Sequence, residues 1–142
     1  MLPFDILLPM EKRQFEALVS EAFDVIPEKF KQQVKNVAFI VEDEPSPDVL
    51  KENGIAPGDT LFGLYTGIPL TGRGSDYGVG MVLPDTIHIY QHPIEESCNG
   101  DAACIKKEVF DTVWHEVAHY FGFDEDSVMR RELEGTNKPK ER

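Results

Sequence analysis

The stretch that decides the fold runs DAACIKKEVFDTVWHEVAHYF over residues 101–121. Its apolar residues recur every three or four positions, which predicts one long amphipathic helix. Asp101 is expected to cap the N-terminus of this helix, and Gly122 to end it in a left-handed conformation. The apolar stripe consists of Ile105, Val109, Val113, Val117 and Phe121, widened by Phe110, Trp114 and Ala118. One face of the helix is therefore expected to be buried.

Two histidines lie within this helix, in the sequence His115-Glu116-Val117-Ala118-His119. Four residues make about one helical turn, so both imidazoles project from one face and can bind a single Zn²⁺ at about 2.0–2.1 Å. Glu116 is offset around the helix, where it can take a proton from a water at the metal. The pattern predicts a hydrolytic metal centre. The simpler alternative is a pair of structural histidines.

A carboxylate that follows the helix is expected to complete the metal site. Gly122 and Glu125 extend the motif to H-E-x-x-H-x-x-G-x-x-E, which puts Glu125 where metzincins place their third ligand. Two histidines and one carboxylate leave a fourth position for water, as a catalytic zinc requires. We therefore predict one Zn²⁺ per chain, held by His115, His119 and Glu125. The alternatives for the third ligand are Asp124, Asp126, Glu132 and Glu134.

Other polar residues are candidates for supporting roles. Asp111 comes one turn before His115 and could orient its imidazole, although a solvated helix residue is the commoner situation. Hydrolysis also needs a group that stabilises an oxyanion. The candidates for that role are Arg73, Tyr77, His88, Tyr90 and His92. Arg73 and Tyr77 lead this set because they lie on a glycine-rich loop.

The rest of the chain is predicted to mix helices with short strands. A first amphipathic helix spans residues 11–26 and ends before Pro27. The loop at residues 66–80 contains five glycines, and a loop of this length in a small domain is usually functional or disordered. Strands are expected at residues 35–42, 61–65 and 85–90, and a short third helix from residue 125 or 126 to about residue 134.

Length and charge limit the class of protein. The 142 residues fit a single domain, expected over residues 1–134 with a polar tail at 135–142. Asp and Glu number 26 against 14 Lys and Arg, and the resulting net charge of −12 disfavours nucleic acid as a partner. No apolar run approaches a membrane span, and the N-terminus lacks the basic start of a secretory signal. We therefore expect a cytoplasmic protein with no membrane partner.

The two cysteines, Cys98 and Cys104, have five residues between them. In a cytoplasmic protein they are expected to be two free thiols. A disulfide that closes a short loop is the alternative. Metal binding by the pair is the least favoured interpretation, because the spacing is not C-x-x-C.

Several sequence blocks, in order, resemble a known family. They are FDVIP at 23–27, NVAFIVEDEP at 36–45, LYTGIPLT at 64–71, LPDTIHIY at 83–90 and HEVAHYFG at 115–122. The chain resembles the bacterial minimal zincin-like metallopeptidases, described as predicted Zn-dependent proteases. That family pattern has Asp where this chain has Glu125, with Asp124 one step earlier. The resemblance implies an α+β fold, in which a small mixed or antiparallel sheet packs on a backing helix and an active-site helix carrying H-E-x-x-H.

Together these features predict a zinc-dependent peptidase with Glu116 as general base. A peptide or protein substrate would extend the sheet along the 86–90 strand, taken as an exposed edge. The first alternative is a non-catalytic zinc-binding or regulatory module, since a small domain has little room for a deep cleft. A metal-dependent RNA hydrolase is less favoured: one such group spaces its ligands like His115, His119 and Glu125, but lacks the glutamate and ends in histidine. The oligomeric state stays open.

Overall fold

The computed structural model describes residues 10–68 and 84–122, which form five helices and three strands. In chain order they are α1 (Lys12–Asp24), α2 (Glu28–Lys31), β1 (Val37–Glu42), α3 (Pro47–Glu52), β2 (Gly63–Thr66), β3 (Asp85–Tyr90), α4 (Gln91–Ser97) and α5 (Ala102–Tyr120). The combination of helices with a small mixed sheet confirms the predicted α+β class. The predicted third helix and the tail at 135–142 lie outside the described residues, so the domain limits stay a prediction.

The strands form a three-stranded sheet in the order β1-β3-β2 within the described ranges. β3 lies in the centre, parallel to β1 and antiparallel to β2. The expectation that the 86–90 strand is an exposed edge is therefore wrong. The alternating sequence of this strand correctly shows which face is buried, but alternation carries no information about how many neighbours a strand has. The described edge strands are β1 and β2.

The two faces of the sheet differ in what covers them. Ile87 and Ile89 are fully buried and share the inner face with Val41, where they join the hydrophobic core. His88 and Tyr90 alternate with them and lie on the outer face. The inner face packs against α1 and α5, whose buried residues include Phe15 and Val19 of α1 and Val109, Val113 and Val117 of α5.

Helix α5 begins and ends where its sequence predicts. The Asp101 carboxylate accepts a hydrogen bond from the Cys104 amide at 2.9 Å, which confirms it as the N-cap. Gly122 follows the helix with φ of 90°, the left-handed conformation that glycine adopts most readily. The helix is 19 residues long. Because Asp101 caps one end and Gly122 terminates the other, local residues as well as packing set its two ends.

Cys98 and Cys104 form a disulfide, with their Cα atoms 5.5 Å apart, so the expectation of two free thiols is wrong. Asn99 and Gly100 both have positive φ, and they reverse the chain between α4 and α5. This tight reversal brings the two cysteines within bonding distance. No helix of the described part of the chain is long and apolar enough to cross a membrane.

Candidate metal centre

His115 and His119 lie together on one face of α5. Their ring centroids are 4.9 Å apart and the ring planes are inclined by 72°. Two nitrogens that bind one tetrahedral zinc stand about 3.3 Å apart, a separation that rings at this distance can reach. Both side chains are partly exposed, whereas Val113 and Val117 on the opposite side of the helix are fully buried. The helix therefore presents two neighbouring imidazoles at its accessible face.

Glu116 is buried between α5 and β2, with 7% of its surface exposed. A Cβ atom built on Gly63 of β2 would lie 3.2 Å from Cγ of Glu116 and only 2.7 Å from Cγ2 of Thr112. The strand can approach the helix this closely because residue 63 has no side chain. Glu116 is thus held beside the edge strand of the sheet, next to the two histidines in sequence.

A cavity of about 450 Å³ opens at this place. Residues 60–63 form one wall, just before and at the start of β2. The described residues of the opposite wall belong to α5 and are Glu108, Asp111, Thr112, His115 and Glu116. We call this cavity the metal-site cleft. His115, one of the three predicted ligands, and Glu116, the predicted general base, therefore border the same space as the β2 edge.

Asp111 borders the cleft but binds elsewhere. Its Oδ2 accepts a hydrogen bond from Nζ of Lys107 at 2.7 Å, an ion pair along one turn of α5. This contact agrees with the alternative of a solvated helix residue better than with a role in orienting His115.

None of the oxyanion candidates that can be placed is among the described residues that border the cleft. His88 lies on the outer face of the sheet, where its Nδ1 is 2.6 Å from a Glu42 oxygen. Tyr90 stacks on His88, and its pKa is raised above the ordinary value by burial first, then by the charges of Glu42 and Glu116. His92 is exposed on α4. Arg73 and Tyr77 lie outside the described residues.

The predicted third ligand also lies outside the described residues, as do its alternatives Asp124, Asp126, Glu132 and Glu134. Within residues 10–68 and 84–122, no cluster of three or more His, Cys, Asp or Glu side chains could hold a metal ion. The ligand set His115, His119 and Glu125 stays a prediction.

Sequence reasoning missed the contribution of Gly63 and Thr112 to this site. A signal was available, because a glycine inside the apolar run Leu61-Phe-Gly-Leu-Tyr65 indicates close approach of another group. The periodicity of α5 places Thr112 beside Glu116, four residues later, but does not identify which element faces it.

The chain is similar to a protein family and to solved structures. The family model described as zincin-like metallopeptidase matches residues 34–135. A solved structure described as a conserved hypothetical protein from "Thermo thermophilus" superimposes with a TM-score of 0.50. The two sequences are 22% identical, over 89% of this chain and 99% of the other, so this similarity concerns the fold. No curated protein gives a significant match.

Proposed function

This chain belongs to the zincin-like metallopeptidase family, and from that premise we propose that it is a zinc-dependent peptidase. The observation that carries the proposal is the arrangement at the metal-site cleft. Two partly exposed imidazoles share one face of α5, and a buried carboxylate lies between them in sequence and against the edge strand in space. A structural pair of histidines would not require a buried glutamate beside an accessible cleft.

We assign His115, His119 and Glu125 as the residues that would hold the metal. A bound zinc ion would supply a Lewis acid and lower the pKa of a coordinated water. Glu116 is the general base: it accepts the proton of the attacking water and returns it to the departing amine. Its side chain is buried beside Gly63 of β2 and borders the cleft, which supports this role.

The substrate is proposed to add to β2, which is an edge strand among the described residues and replaces β3 in this role. The Tyr90 amide donates to the Phe62 carbonyl at 2.8 Å, so in the antiparallel register Leu64 and Thr66 also direct their backbone groups towards β3. Gly63 and Tyr65 then direct theirs away from it. An extended peptide is proposed to form main-chain hydrogen bonds with Gly63, which borders the metal-site cleft, and to pass along that cleft.

The first experiment compares Glu116→Gln with the wild-type chain, both loaded with zinc. We expect the variant to keep one zinc per chain and to cleave a peptide library at least 100-fold more slowly, since general-base catalysis contributes about that much or more. Glu16→Gln removes the same charge from an exposed position on α1, outside the cleft, and should stay within a few-fold of wild type. Unchanged cleavage by Glu116→Gln would refute the assignment. A wild type that binds zinc but cleaves no peptide would instead indicate a non-catalytic module.

The second experiment identifies the third ligand. Elemental analysis of untagged protein should find about one zinc per chain in the wild type, and should find it lost in His115→Ala and Glu125→Ala. Asp124→Ala serves as the matched control, since it removes the neighbouring carboxylate, and should retain the metal. Retention by Glu125→Ala with loss in Asp124→Ala would transfer the ligand to Asp124.

A further inference from the structure

A second cavity, of about 570 Å³, lies against the outer face of the sheet, on the opposite side from the hydrophobic core. We call it the acidic pocket. Glu42 of β1 borders it, together with Glu44 and with Glu52 of α3. Among the described residues that line it there is no lysine or arginine. The volume lies within the range of cavities that bind small organic groups.

Two of these carboxylates have no cation beside them. Glu42 contacts Nδ1 of His88 at 2.6 Å, so one of its oxygens is already engaged. Glu44 and Glu52 are exposed, and in the described part of the chain neither forms an ion pair. Two negative charges that border the same pocket and have no ion-pair partner among the described residues attract a positively charged ligand, and the overall charge of −12 adds to that attraction.

The side chain of Tyr90 gives a second, independent indication that this pocket binds a ligand. Its side chain projects from the outer face of β3, borders the pocket and is 1% exposed. Its ring stacks on His88 with the centroids 6.2 Å apart. The Tyr90 hydroxyl forms no hydrogen bond with another described residue, and no fully buried side-chain oxygen or nitrogen of the described residues lacks a partner, so this hydroxyl opens to the pocket. A ligand with N–H donors would supply a partner for it.

We propose that the acidic pocket binds a protonated amine or guanidinium, and specifically the lysine or arginine side chain of a peptide substrate. The carboxylates of Glu44 and Glu52 supply the opposite charge and the Tyr90 hydroxyl accepts an N–H bond. Arginine suits such a set best, because its five donors can satisfy several acceptors at once.

The pocket lies beside β2, the strand to which the substrate is proposed to add. The choice of a peptide as its ligand rests on the peptidase proposal. Leu64 and Thr66 of β2 border the pocket, and both lie on the outer face of the sheet. A peptide added to the edge of β2 directs alternate side chains to the inner and outer faces. One of these residues would therefore meet the metal-site cleft while a neighbouring one meets the acidic pocket.

The test measures binding without cleavage. Zinc-loaded Glu116→Gln protein is titrated separately into two fluorescein-labelled peptides that are identical except at one position. One peptide has arginine there, and the other has citrulline, which has nearly the same shape as arginine but no charge. We expect the arginine peptide to bind at least tenfold more tightly. Glu44→Gln and Glu52→Gln should each reduce that preference about threefold, and Tyr90→Phe should reduce it as well. Glu16→Gln removes one charge from α1, on the other side of the sheet, and should leave it unchanged.

Equal binding of the two peptides would overturn the proposal, and so would a preference that survives in both glutamate variants. If neither peptide binds, arginine amide is titrated into the ¹⁵N-labelled chain. Shifts confined to residues around the acidic pocket, such as Leu64, Thr66 and His88, would uphold the cation site, and the peptidase proposal would be the one that fails. No shifts there would overturn the cation site regardless of any peptidase activity.

Discussion

At Gly63 the backbone of β2 passes close to the part of α5 that carries the predicted catalytic motif. A Cβ atom there would lie 2.7 Å from Cγ2 of Thr112 and 3.1 Å from the His88 carbonyl oxygen. These atoms belong to a buried side chain and to the backbone of the central strand, so neither can move aside freely. The single residue 63 therefore controls the distance between the sheet edge and Glu116.

Gly63→Ala is expected to destabilise the protein by about 1–3 kcal/mol, the usual cost of overpacking. It should also slow peptide hydrolysis, because the strand must move away from Glu116. Denaturant unfolding and a peptidase assay measure the two effects. The double variant Gly63→Ala/Thr112→Ser removes the atom at 2.7 Å and should recover part of the lost stability. A lack of recovery would show that the contact with Thr112 is not the cause.

At the scale of elements, the corner between α4 and α5 is fixed covalently. Cys98, 5% exposed, is the C-cap of α4, and Cys104 lies in the first turn of α5. The same turn is held by the Asp101 cap, whose carboxylate accepts from the Cys104 amide. Two interactions therefore set the start of the helix that carries His115 and His119.

Reduction of this disulfide is expected to lower the free energy of unfolding by about 2 kcal/mol, the chain-entropy value for so short a loop. Urea denaturation with and without a phosphine reductant, which does not bind zinc as dithiols do, gives the difference. The variant Cys98→Ala/Cys104→Ala should unfold at the same urea concentration in both conditions. If it still responds to the reductant, the effect does not come from this disulfide.

The elements that could be predicted from sequence are those long enough to show a period. α1 and α5 carry apolar stripes over several turns, and their predicted bounds agree with Lys12–Asp24 and Ala102–Tyr120 to within two residues. α2, α3 and α4 have 4, 6 and 7 residues, too few for periodicity. For α3 a local signal existed, since Ser46 caps it and Pro47 occupies its first turn.

The same distinction between local and non-local features applies to the candidate site. The relative position of His115 and His119 follows from helix geometry alone, so the motif predicts it correctly. What faces the motif depends on the order of the strands, and β3 became central because it pairs with β1 in parallel across a long stretch of sequence. Such non-local pairing leaves no local pattern.

The disulfide prediction was wrong because it rested on an assumed cellular compartment, whereas the Asn99-Gly100 turn was the relevant geometric signal.

At the scale of the whole molecule, the net charge of −12 acts on every substrate that approaches. An acidic surface raises the local concentration of cations and repels anions, and added salt screens both effects once the Debye length falls below the distance between charges. The acidic pocket adds a local negative field on the outer face of the sheet. The general field and the pocket would therefore both attract the basic peptides proposed above, whereas RNA, whose phosphates would need a basic patch, would be repelled.

Salt should therefore separate substrates by charge. We expect kcat/KM for an arginine-containing peptide to fall about three- to tenfold between about 50 and 500 mM NaCl, since electrostatic attraction acts mainly on encounter and weakens as it is screened. A sister peptide with glutamate at the same position should be cleaved more slowly at low salt and should gain as salt rises. A glutamine peptide provides the neutral control and should change little.

Glu44→Gln/Glu52→Gln should reduce the salt dependence of kcat/KM for the arginine peptide more than Glu16→Gln does. The first two carboxylates border the acidic pocket, whereas the third lies on α1. If all three peptides show the same salt dependence, the charge of this protein plays no part in its choice of substrate.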